Sequence, residues 1–173
     1  MSDDVQGGPV TTIDGPDDGR LLPGFFVEWR SGWGESASSW GPTDYLNQEA
    51  AVPAVVAAGW LFNPSTVGYR GGIFLRDRFD AATVDRWFSQ FPDDPGRIEA
   101  VVNTVTLYDL FVNVDLDPYE DGLPGLARDI AACWAGVLAR RYPDRNVQVR
   151  TEDAYGPSVT FWTATEVPAA GEA

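Results

Sequence analysis

Three tryptophans, Trp29, Trp33 and Trp40, fall within twelve residues of one another among Gly and Ser. Exposed indole rings on such a stretch can stack on a sugar or grip the side chains of a partner protein. With Glu35 and Asp44 beside them, they form the first candidate partner-binding surface. Large aromatics more commonly pack back onto a core, so the composition leaves both fates open. Nothing in the chain suggests secretion, which ranks a sugar below a protein partner.

A second cluster holds Arg76, Arg78 and Arg86, a basic island that could seat a carboxylate or phosphate bidentately. Such arginines more often neutralise neighbouring aspartates. Asp77, Asp80, Asp85 and Asp109 lie nearest the predicted strand ends and helix starts, where paired acids for glycoside-type hydrolysis could converge. Asp80 is also explained as a helix cap, and Asp85 as part of that helix's solvent face. The stretch 115–121 carries Asp115, Asp117, Glu120 and Asp121, enough oxygen for a hard cation. Tyr119 and Glu120 stand where a calcium loop needs an oxygen ligand and a glycine, which favours a solvated acidic loop. No metal site and no cofactor is expected. Cys133 falls on an apolar helical stripe between Ile130 and Val137, which predicts a buried, inert small hydrophobe.

Missing side chains narrow the chemistry further. The chain has no histidine, and all 12 of its basic residues are arginine. A Ser-His-Asp or Cys-His site cannot be built within it, nor can a lysine Schiff base or a P-loop. One cysteine forms no internal disulfide, and without histidine the remaining metal ligands are oxygens, which disfavours zinc and leaves calcium or magnesium open. Against these stand 26 acidic residues and a formal net charge of -14. That balance repels nucleic-acid phosphate and anionic lipid headgroups, and attracts a basic partner.

The elements that must position these residues follow from apolar spacing and turn chemistry. Residues 1–22 and 166–173 read as disordered tails, the first of them acidic, around a single domain over 23–165. Phe25–Trp29 reads as a first strand, 31–42 as a loop, and 44–58 as a weak helix interrupted by Pro53. A short buried strand is expected at Ile73–Leu75. Asp80 then caps a helix whose apolar face carries Val84, Trp87, Phe88 and Phe91, with Phe79 and Val84 forming a hydrophobic staple. The β-branched content of 99–107 predicts a strand, although Ile98, Val101, Val105 and Tyr108 also fit a helix. A second firm helix runs from Pro124 to Tyr142. Val147–Thr151 and Val159–Ala164 close the chain as a hairpin.

The order predicts an α+β fold: a single domain with a mixed or mainly antiparallel sheet and two or three helices packed on one face. No apolar stretch reaches the length of a membrane span, since 52–62 is far too short, and the acidic start does not resemble a secretory signal. A cytoplasmic location is therefore expected. The favoured function is a non-catalytic, acidic protein-binding module, such as an immunity-type or inhibitor protein acting on a basic partner, with neither nucleic acid nor membrane as a target. The alternatives are a carboxylate-based enzyme with an oxygen-ligated metal or an organic cofactor, and a structural component of a larger assembly.

Overall fold

The computed structural model describes residues 22–92 and 94–164. Both expected tails, apart from Leu22, lie outside the described residues. Seven α-helices occur among the described residues: α1 (Gly24–Gly32), α2 (Pro42–Glu49), α3 (Val52–Phe62), α4 (Ala81–Gln90), α5 (Pro95–Val102), α6 (Leu107–Leu110) and α7 (Leu123–Arg141). Five strands accompany them: β1 (Thr66–Tyr69), β2 (Gly72–Leu75), β3 (Val105–Thr106), β4 (Val147–Glu152) and β5 (Ser158–Thr163). The class is α+β, and both sheets are antiparallel. One is the β1–β2 hairpin; the other has the order β3-β5-β4.

β2 is the centre of the fold because its period-two alternation is buried on both faces. Ile73 and Leu75 point into a core with Ile130, Trp134 and Leu138 of α7 and with Val159 and Phe161 of β5. Phe74 points the other way, against Val84 of α4 and Ile98 of α5. The β1–β2 turn places Arg70 at φ 47° and Gly71 at φ 79°, the left-handed pair that a two-residue hairpin requires. Arg70 tolerates that conformation while its side chain pairs with Asp85 at 3.0 Å and lies over the Phe88 ring.

The two sheets meet at an unusual seam. Glu99 and Asn103 lie one turn apart on one face of α5 and at its end, both fully buried. Glu99 Oε1 accepts from the Ile73 amide at 2.6 Å and from the Thr163 hydroxyl, while Oε2 accepts from the Thr163 amide. Asn103 accepts from the Leu75 amide at 2.8 Å and donates to the carbonyls of Ile73 and Phe161. These side chains satisfy the backbone groups where β2 and β5 face each other without a ladder of their own.

Several local expectations are met. Asp80 caps α4 by accepting from the Thr83 amide at 2.8 Å, Phe79 joins Val84 in the same apolar cluster, and β4 pairs with β5 from Val147↔Thr163 to Glu152↔Ser158. Two expectations are corrected. Phe25–Trp29 is helical, because Phe26, Trp29 and Trp33 recur at helical spacing and meet a shared set of aromatic partners. The predicted strand at 99–107 is mostly helix. Asp94 caps it through the Arg97 amide, Pro95 opens it, and only Val105–Thr106 is extended. The weak helix at 44–58 resolves into α2 and α3, with Pro42 and Pro53 each at a helix start rather than inside one.

Candidate functional site

The three tryptophans do come together. α1 ends at Trp33, a short 3-10 turn over Glu35–Ala37 reverses the chain, and α2 follows Trp40, so the rings share one side of this unit. Trp33 and Trp40 have ring centroids 5.4 Å apart, Trp40 and Trp29 5.7 Å, and Trp29 meets Tyr45 edge-on at 5.0 Å. The row continues from Tyr45 through Phe25 to Tyr119. Trp29 and Trp40 are half-buried within the row, and Trp29 Nε1 donates to Glu49 Oε1 at 2.9 Å. Trp33 terminates the row with 49% of its surface exposed. The row thus combines both sequence expectations, packed rings behind one presented ring.

The acidic neighbours divide by role. Asp44 Oδ2 accepts from the Gly41 amide at 2.8 Å, which fixes the start of α2. Glu35 is exposed on the turn between Trp33 and Trp40. Tyr45 sits among negative charge, and its phenol is pushed above the usual range by burial first, then by Tyr119 and Glu49. It stays protonated at neutral pH.

The carboxylates proposed for acid–base work are engaged at separate places. Asp80 is held below the usual range by bonds from the Thr83 side chain and amide, with a contribution from Arg86. Asp85 accepts from the Tyr69 hydroxyl and pairs with Arg70. Asp77 and Asp109 are exposed on the 3-10 turn at Arg76–Arg78 and on α6. Of the arginine island, Arg86 donates to the Thr83 hydroxyl, whereas Arg76 and Arg78 are exposed on the same 3-10 turn. The acidic stretch also has structural duties. Asp121 Oδ2 accepts from the Gly24 amide at 2.6 Å, satisfying a first-turn donor of α1. Among the described residues, no group of three or more His, Cys, Asp or Glu side chains is placed to hold a metal ion.

Sequence reasoning missed the most exposed apolar element. α3 is Val, Ala, Gly, Pro, Trp, Leu and Phe from end to end and contains no fully buried residue. Its Trp60 is 73% exposed and its Val52 74%. The helix is held from below, where Trp134 Nε1 donates to the Leu61 carbonyl at 2.8 Å. Trp60 borders a groove of about 730 Å³ whose apolar walls include Leu61, Trp87, Val101 and Leu110. A second hollow of about 1070 Å³ lies beside the aromatic row, lined by Phe25, Phe111, Leu116 and Leu126. The available signal was the apolar run itself, too short to cross a membrane yet lacking any polar face. Among the described residues no helix is long and apolar enough to cross a membrane.

Cys133 corrects another expectation. The buried stripe of α7 is Leu123, Ala127, Ile130, Trp134 and Leu138, and Cys133 lies outside it, exposed. A maleimide should therefore label Cys133 in the native protein at nearly the rate found in urea, within about threefold, since no opening of the fold is needed. Labelling that waits for global unfolding, followed by mass spectrometry, would place the thiol in the core after all.

No known protein family, curated protein sequence or solved structure matches this chain.

Proposed function

We propose that the protein is a non-catalytic, acidic binding module that docks a basic protein partner, in the manner of an inhibitor or immunity protein. One observation carries the reading. Between residues 22 and 60 eight large apolar side chains are exposed, including Trp33, Leu46, Val55, Val56 and Trp60. Large exposed apolar surface on a chain of net charge -14 suits a contact in which aromatic anchors supply affinity and surrounding carboxylates steer a cationic partner. Trp33 presents the end of a braced aromatic row, so it is pre-ordered for contact and loses little side-chain freedom on binding. Glu35 and Glu28 are exposed close to it in sequence and supply negative charge. An unpaired, exposed Cys133 suits a reducing compartment, which supports a cytoplasmic location.

The test uses the full chain immobilised against extract of its native host, beside a Trp33→Ala chain. A basic protein should be retained by the wild type, weakened about tenfold or more by Trp33→Ala, and released as salt rises from about 0.05 to about 0.5 M. Identical retention by both chains, or retention indifferent to salt, would overturn the reading.

A further inference from the structure

We infer that the surface where α5 starts and β5 ends binds a small ligand through a phosphate group, held by the guanidiniums of Arg70, Arg97, Arg145 and Arg150. The inference uses other residues than Trp33 and does not depend on the binding-module reading.

Four of the chain's 12 basic residues are brought here from separate parts of the sequence. Arg97 and Arg150 line a hollow of about 360 Å³ together with Trp162, and Arg70 and Arg145 line an adjoining one of about 150 Å³. The two share Gly96, Thr163 and Ala164. Gly96 is what lets α5 and β5 come this close, since a Cβ there would stand 2.9 Å from the Thr163 carbonyl oxygen. All four arginines are exposed, yet each is held in place. The guanidinium carbon of Arg97 lies 4.3 Å from the Phe91 ring centroid and that of Arg150 5.2 Å from a Trp162 ring, contacts that use no N–H donor. Arg145 Nη2 donates to the Gly71 carbonyl and reaches the Thr163 hydroxyl.

The neighbouring carboxylates do not use these donors up. Asp85 pairs with Arg70 through Nε at 3.0 Å, and Glu152 pairs with Arg150 through Nη2. Asp94 accepts from the Arg97 amide at 2.9 Å and caps α5, while Glu99 is buried with its oxygens turned to the Ile73 and Thr163 amides. Among the described residues, Arg97 and Arg145 have no carboxylate partner. A guanidinium carries five N–H donors in a planar fork, which matches phosphate oxygens bidentately. A carboxylate offers two oxygens and one charge; a phosphate monoester offers three and nearly two, so converging forks favour the phosphate. The larger hollow exceeds one phosphate and leaves room for a small organic group beside Trp162. The net charge of -14 opposes any anion at long range, but at physiological salt that field is screened beyond about 8 Å, whereas the guanidiniums act at contact.

The probes are inorganic phosphate and phenyl phosphate, with acetate as the control, each titrated at constant ionic strength into the full chain and followed by proton–nitrogen NMR. Both phosphates should shift the Gly96, Arg97 and Thr163 amides and the Trp162 indole signal saturably, with a Kd of about 1 mM or lower. Acetate should bind about tenfold more weakly. Tighter binding of phenyl phosphate assigns the space beside Trp162 to an organic group; equal affinity assigns the site to phosphate alone. Arg97→Ala and Arg150→Ala, both at exposed positions, should each weaken phosphate by about tenfold. Arg97→Lys keeps the charge but not the fork and should still lose about threefold. Arg76→Ala, on the exposed 3-10 turn, should change nothing. Urea unfolding of each variant checks that the fold is kept. Acetate binding as tight as phosphate, shifts that do not saturate, or an equal loss in Arg76→Ala would overturn the assignment. Retention of a basic protein through Trp33 is measured separately, so either reading can fail while the other stands.

Discussion

Replacing Glu99 by alanine should destabilise the protein by about 3–5 kcal/mol in urea unfolding, the largest effect of any single carboxylate among the described residues. Two backbone donors, the Ile73 and Thr163 amides, end on this carboxylate, as does the Thr163 hydroxyl. Glu99 is 1% exposed, so both amides lose a buried partner once the side chain is gone. Each unsatisfied donor costs about 1–3 kcal/mol, and the vacated volume adds a packing loss. Glu99→Gln should recover only part of the stability, because its amide group sets a donor against one of the two backbone donors. An exposed acid such as Glu35 offers the comparison. Glu35→Ala should change stability by less than about 0.5 kcal/mol. A Glu99→Ala chain as stable as the Glu35→Ala chain would mean that Asn103 and packing hold the two sheets together without Glu99.

The same residue sets a pH dependence whose sign differs from that of an ordinary surface acid. Burial raises the Glu99 pKa, and the amides of Thr163 and Ile73, the Thr163 hydroxyl and nearby Arg145 only partly pull it back. The folded state therefore holds this proton more tightly than the unfolded chain does. The group's favourable contribution is complete below the unfolded pKa and is lost as pH rises through the raised folded value. The stability of the wild type relative to Glu99→Gln should accordingly shrink as pH rises from the ordinary carboxylate range through the raised folded value. A difference that grows with pH over that range would show that the amide donors outweigh burial.

Where an element's signal is local, the sequence is a sufficient guide. α4 is legible because Asp80, Phe79 and the Val84–Phe91 spacing all act within about three turns of one another. The β4–β5 hairpin is legible for the same reason. Where composition and periodicity disagree, composition misleads. Phe25–Trp29 has the residues of a strand, but the partners of those rings, Tyr45 and Tyr119, come from distant parts of the chain. Asp121 bonds the first turn of α1 across 97 residues, a contact no local pattern encodes. At 99–107 the β-branched residues favour extension, yet the fold needs Glu99 and Asn103 on one face, and only a helix places residues four apart side by side. Trp33 was visible as a candidate because it stands among Gly and Ser. Trp60 was not, because an all-apolar helix ordinarily signals burial, and its exposure is a property of the tertiary packing.

Trp134 joins the core to that exposed helix, and its removal should be felt in both. Trp134→Ala should cost about 3–5 kcal/mol, since the ring is fully buried against Phe161 at a centroid distance of 5.8 Å, among Ile130, Leu138 and Ile73. Trp134→Phe separates two parts of that loss. Phenylalanine keeps most of the packing but lacks the indole N–H that donates to the Leu61 carbonyl. That carbonyl lies in the last turn of α3, where no later helical amide can reach it, so the indole acts as a remote cap. The Phe variant should lose about 1–2 kcal/mol, and the loss should be concentrated in α3. Hydrogen exchange by mass spectrometry provides the local readout: peptides covering 52–62 should exchange faster in Trp134→Phe, while those covering β4 and β5 keep their protection. Uniformly faster exchange would instead assign Trp134 to global packing alone.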